Sequence, residues 1–132
     1  MSFIKSKWGA SKFEEKLNNE TANTNMDITA TPVGMLNKVI KIGTWIMFLI
    51  GTANVIHGLT MNKIRSVTVL IINDAGDVIY DLTHAATDGH AEGKVIINPA
   101  TIGLSRRDPG LFTDAAYSLP GNRGWVTIWY EA

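Results

Sequence analysis

The densest group of side chains able to do chemistry lies in one stretch: Asp81, His84, Asp88, His90 and Glu92. Carboxylate oxygens and imidazole nitrogens are ligands for zinc and for hard divalent cations, and Gly89 and Gly93 would let the intervening chain bend to bring them together. The order of residues departs from the arrangements that specify such sites. It lacks the Asp-x-Asn/Asp-x-Asn/Asp-Gly order of an EF-hand loop and the helical histidine pair of a zinc protease. A polar hairpin tip contains the same residue types by default, so the segment reads as a surface loop that holds no metal. A hydrolytic role would require Asp88, His90 and Glu92 to converge.

The other reactive side chains read the same way. His57 precedes Gly58 at the end of an apolar run, the setting of a hydrogen-bonded turn histidine rather than a catalytic base. Gly103-Leu-Ser105-Arg has no second glycine two residues after the serine, so it is not a nucleophile elbow, and no glycine-rich phosphate loop is present. The absence of cysteine excludes disulfides, thiolate chemistry and cysteine-ligated zinc. No catalytic residue, cofactor or metal is assigned, and the chain reads as a non-enzyme. Arg106-Arg107-Asp108, followed by Pro109-Gly110, places two guanidinia on a loop where they could grip a carboxylate or phosphate. A turn with an internal arginine–aspartate pair is the more frequent meaning of that pattern.

The elements that position these groups are strands. From Asn37 onward, β-branched and aromatic residues occur in short runs separated by Gly, Pro, Asn and Asp. The pattern predicts strands near 38–49, 53–57, 64–73, 77–82, 93–98, 100–105 and 123–130. Asn73-Asp-Ala-Gly-Asp77 makes a short hairpin loop in which Gly76 takes a positive φ. Pro99 cannot donate to a ladder and marks a corner. Residues 106–122, with two prolines and two glycines, form a long surface loop. Seven short strands without helical periods between them predict an all-β fold, an antiparallel β-sandwich or jelly-roll-like domain over residues 37–132.

The final strand places Trp125, Thr127 and Trp129 on one face and Val126, Ile128 and Tyr130 on the other. Two apolar faces need two covers, so this strand either lies between layers or meets another copy of the chain. Trp45, Tyr80, Trp125, Trp129 and Tyr130 sit in strand runs and read as core. Phe112 and Tyr117 fall on the long loop, where with Arg106 and Arg107 they would face a receptor.

Residues 1–36 differ in character. They are polar, with Asn18, Asn19, Asn23 and Asn25 among Ser, Thr, Lys and Glu, and have too few apolar residues to close a core. They read as an extended N-terminal attachment arm. Ser11 followed three residues on by Glu14 is a helix-start signal for about two turns of helix. Trp8, Phe13 and Leu17 are large apolar side chains in this polar segment, and docking onto another subunit or protein accounts for them.

Twelve basic and twelve acidic side chains balance, so no overall field favours nucleic acid or an anionic membrane. The N-terminal residues lack the apolar stretch and cleavage site of a secretory signal. Val39 to Ile56 is long enough for a bilayer, but Lys41, Gly43, Gly51 and Asn54 interrupt it, and a buried strand is the expected reading rather than a membrane span.

Three segments together carry a resemblance: Lys38-Val-Ile-Lys-Ile-Gly-Thr-Trp45, the His57-Gly-Leu turn leading into Lys63-Ile-Arg-Ser-Val67, and the ending Asn122-Arg-Gly-Trp-Val-Thr-Ile-Trp-Tyr130. Over residues 37 to 131 the chain resembles small β-rich virion proteins of tailed and related bacteriophages. The resemblance implies a compact β domain displayed in symmetric, often trimeric, copies as a head fibre, spike, decoration or tail-associated subunit. It also implies an N-terminal arm that attaches the domain to a capsid, portal or tail structural protein, and a place in the virion after assembly in the host cytoplasm. The last strand is also similar to that of six-stranded trimeric lectins. The alternative role is a lectin-like, glycan- or receptor-binding module of a fibre or spike that recognises a host surface glycan through the exposed loops 83–92 and 106–121.

Overall fold

In the computed structural model the described residues are 35–132. The arm with its helix-start signal and with Trp8, Phe13 and Leu17 lies outside them. Seven strands follow one another: β1 (Met35–Lys41), β2 (Thr52–Ile56), β3 (Ile64–Ile72), β4 (Ile79–Asp81), β5 (Gly93–Ile97), β6 (Thr101–Arg106) and β7 (Gly124–Glu131). They form two antiparallel sheets, one ordered β1-β7-β3-β4 and the other β2-β6-β5. The sheets pack face to face, because each has one row-set of β-branched and aliphatic side chains to remove from water. β7 contributes Val126 and Ile128, β3 contributes Val69 and Ile71, and the second sheet answers with Val55, Ile102 and Leu104.

Both hairpins form where turn chemistry places them. Between β3 and β4, Gly76 sits at φ +76° and the Asn73 side chain accepts from the backbone N–H groups of Asp77 and Val78. Between β5 and β6, Pro99 occupies a tight turn in which Asn98 N–H donates to Thr101 O at 2.8 Å. His57 is fully buried just after β2, and its Nδ1 accepts from Leu59 N–H while Nε2 lies 2.8 Å from Asn98 O. That pairing places the ring proton on Nε2 and makes His57 the expected turn histidine. Lys38 Nζ, from β1, donates to His57 O and ties the first sheet to the end of β2.

The strand expected at 38–49 is shorter and begins earlier. β1 ends at Lys41, and Gly43, at φ +82°, turns the chain out of the sheet. Trp45 and Met47 then drop into the core, while the N–H groups of Leu49 and Ile50 both donate to Ile46 O and close a turn. The apolar run Trp45 to Ile50 is therefore half core and half exposed tip, not a strand. No helix among the described residues is long and apolar enough to cross a membrane.

The segment 106–122 is also more than a surface loop. Two single 3₁₀ turns, Leu111–Thr113 and Ala115–Tyr117, aim Phe112 and Tyr117 inward, where they are 1% and 3% exposed and meet edge to face at 5.1 Å between ring centres. This segment closes the sandwich beside Trp45 and Met47.

One charged side chain is buried with that closure. Arg123, 1% exposed at the entrance to β7, donates from Nε to Trp45 O, from Nη1 to Ile72 O, and from Nη2 to both Asp74 Oδ1 and Leu119 O, all at 2.9 to 3.0 Å. Its guanidinium carbon lies 5.3 Å from the centre of the Tyr117 ring. A rigid planar fork of five donors satisfies several carbonyls at once in a way that a lysine ammonium does not.

Candidate functional site

Strand pairing places Asn37, Val39 and Lys41 of β1 beside Trp129, Thr127 and Trp125 of β7, and these beside Ser66, Thr68 and Leu70 of β3. Ile72 and Ile79 extend the same face onto β4. The opposite face of these strands is the core, so this one points away from it. It is open: Trp129 is 41% exposed, Val39 59% and Ile79 52%. Two indole rings four residues apart on one strand, with Thr127 between them and aliphatic side chains beside them, make an apolar surface with a hydroxyl-bearing middle row. Aromatic side chains supply much of the energy of protein interfaces because they bury a large area with few rotatable bonds. The arrangement suits packing against another flat, apolar protein surface.

A second apolar surface is the tip of the turn after Met47. Leu49 is 73% exposed, with Phe48, Ile50 and Leu119 also exposed. The tip is held rigidly from below, since Trp45 Nε1 donates to Ile50 O at 2.8 Å and Phe48 N–H donates to Tyr117 O at 3.1 Å.

The four loop residues expected to face a receptor do not form a free surface. Phe112 and Tyr117 are core residues, because the loop that carries them folds over the open end of the sandwich. The Arg106 side chain is 8% exposed and its Nε donates to Met47 O. Arg107 makes a two-pronged pair with Asp88, with Nη1 and Nη2 at 3.1 and 3.0 Å from the carboxylate oxygens. That pair clamps loop 83–92 to loop 106–110, and Glu92 Oε1 reinforces it by accepting from Leu111 N–H at 2.8 Å. Asp88 and Glu92 of the first loop are thereby committed to structural partners. Asp81 caps the turn at Thr83, and among the described residues no three His, Asp or Glu side chains are placed to hold a metal ion.

Asp88 is held well below the ordinary carboxylate range by the Arg107 guanidinium and then by the His90 N–H, and Arg107 is raised in return by Asp88. Burial would raise Asp74, but the bond from Arg123 and the N–H groups of Ser118 and Leu119 outweigh it and leave its acidity increased. A carboxylate whose folded pKa lies below its unfolded value of about 3.9 contributes stability that is present above that value and is lost as pH falls from it through the folded pKa. Melting temperature is therefore expected to fall as pH is lowered from about 5 towards 2. The Asp74→Asn variant should be less stable at neutral pH and show a shallower acid dependence. Parallel pH slopes in thermal melts of the two proteins would refute the assignment. Asp88 is half exposed, so solvent screens its pair and its share of the slope is smaller.

Trp125 and Trp129, expected in the core because they sit in a strand run, line the open sheet face instead. Val39, Leu70 and Ile79 belong to that face as well, and nothing local in their strand runs distinguishes them from core positions. Alternation along β7 signalled two apolar faces; only the strand order says that the second sheet covers one of them. No family model, no curated protein and no solved structure matches the chain.

Proposed function

We propose that this chain is a structural protein of a bacteriophage particle, whose β domain assembles with copies of itself through the Trp125 and Trp129 face. In this reading residues 1–36 tether the assembly to a capsid, portal or tail protein through Trp8, Phe13 and Leu17. The observation that carries it is the open apolar sheet face, a surface that a lone domain leaves in water at a cost and that a symmetric neighbour would cover. The three segments shared in pattern with small phage virion proteins support the setting. An interface of standard size, about 800 Å² per partner, is within the reach of such a face. Many copies on one particle would convert modest individual affinities into firm attachment.

Light scattering on the full chain and on a chain beginning at Met35 tests the reading. Both are expected to be oligomers, a trimer being the favoured number. The Trp125→Ser/Trp129→Ser double variant should be a monomer with an unchanged far-ultraviolet circular dichroism spectrum, its affinity reduced at least ~100-fold by loss of two central aromatic contacts. A monomeric full chain, or an oligomer indifferent to the double substitution, would overturn assembly through this face. Loss of residues 1–34 is expected to abolish incorporation into particles while leaving the oligomer intact.

A further inference from the structure

We infer that the outward face of the β2-β6-β5 sheet is a binding groove for a neutral saccharide. Pairing sets out its rows: Thr52, Ser105 and Lys94 lie side by side, then Asn54, Gly103 and Ile96, then Ile56 and Thr101. The middle row has no side chain at its centre, and a trough of about 310 Å³ crosses the sheet there, lined by Thr52, Asn54, Ile96, Asn98, Gly103 and Ser105.

Glycine inside a strand weakens it, and in a central strand it often marks the close approach of a ligand. Gly103 is not demanded by the backbone, since it is not among the positive-φ glycines. Nor is it demanded by packing: an added Cβ would meet Asn98 Nδ2 at 3.3 Å, Asn54 Oδ1 at 3.5 Å and Ile96 O at 3.7 Å, contacts that small side-chain shifts accommodate. What the glycine provides is depth, and what stands on either side of that depth is a pair of amides. The Asn54 side chain has no hydrogen-bond partner among the described residues, and Asn98 has only a 3.3 Å bond to Thr101 Oγ1.

An amide offers a donor and an acceptor side by side, which matches a sugar hydroxyl pair, each member of which both donates and accepts. The hydroxyls of Thr52 and Ser105 extend the same chemistry, and Ile96, 59% exposed, offers an aliphatic surface to the C–H face of a ring. No carboxylate lines the trough and the single cation, Lys94, stands outside it, so the site favours a neutral sugar over an anionic one. The volume is at the small end for ligand sites and holds roughly one or two pyranose rings. Without an aromatic platform, affinity per site should be on the order of millimolar. The groove lies on the other sheet from the Trp125 and Trp129 face, so a sugar could bind there whether or not that face is covered.

Nuclear magnetic resonance titration of the ¹⁵N-labelled full chain with chitotriose, maltotriose, cellotriose and lactose tests it, with sialyllactose and a Gly-Ser-Gly peptide as contrasts. At least one neutral sugar should cause saturable shifts of the amides of Asn54, Asn98 and Gly103. The Asn54→Ala and Gly103→Val variants should weaken that binding at least ~10-fold; because Gly103→Val also tests folding, Asn54→Ala carries the result if the valine variant is unfolded. The inference is overturned if no neutral sugar shifts these resonances, if the shifts persist unchanged in Asn54→Ala, or if only sialyllactose or the peptide produces them.

Discussion

Arg123→Met is expected to cost about 3–5 kcal/mol, a large share of the total stability of a typical domain. Methionine fills a similar volume but donates nothing. Its insertion would remove the arginine's donors from the carbonyls of Trp45, Ile72 and Leu119 and leave the Asp74 carboxylate to the bonds from Ser118 and Leu119 alone. Each buried acceptor left without a donor costs free energy beyond the bond itself. The damage would also spread, because those acceptors come from three separate segments that the arginine holds together at one end of the sandwich. Arg123→Lys should lose less than Arg123→Met but remain clearly destabilised, since an ammonium cannot span four acceptors in fork geometry. Urea unfolding monitored by tryptophan fluorescence measures the series. A methionine variant within 1 kcal/mol of the parent, by the usual linear extrapolation, would show that the network is replaceable by packing.

Gly124→Ala is the second large effect. Gly124 opens β7 at φ +153°, a region closed to side-chain-bearing residues. An added Cβ would fall within the Leu70 carbonyl oxygen's radius, with the Leu70 carbonyl carbon 2.9 Å and Ile71 Cα 3.2 Å away. Backbone in a paired central strand cannot move aside without breaking the β3–β7 ladder, so strain and lost pairing add. The expected loss is on the order of 3 kcal/mol or more, a fall in melting temperature of roughly 10 °C or more. Gly121→Ala is the matched control. Gly121 also has a positive φ, +127°, but open space where its Cβ would go, so its loss should be confined to backbone strain and be markedly smaller. Equal melting temperatures for the two alanine variants would refute the role of close approach.

Much of the fold was legible because its signals are local. Alternation along Ile64–Ile72 and Gly124–Glu131, Gly76 in a five-residue loop and Pro99 between two β-branched runs each reflect the conformational range of a few consecutive residues. These determined an all-β antiparallel chain with strands close to their observed limits. The apolar run Trp45 to Ile50 misled, because hydrophobicity alone does not separate a strand from a turn with one side in the core, and the positive φ of Gly43 decided between them.

What only the tertiary structure decided is which surfaces meet. Residue types determined that β7 would carry apolar side chains on both faces; the strand order decided that Val126 and Ile128 are covered while Trp129 is exposed and Trp125 only partly covered. Phe112 and Tyr117 stand in a stretch rich in proline and glycine and look like loop residues, yet two turns of 3₁₀ helix carry them under the sandwich. Arg123 is buried because Trp45, Ile72 and Asp74 are brought around it from distant positions and Leu119 from four residues upstream. Gly103 opens the middle of its row only because strand pairing sets Asn54 and Ile96 on either side of it. Burial and hydrogen-bond partnership are properties of pairs of residues far apart in the chain, and the local rules that shape a strand carry no information about which distant partner it will find.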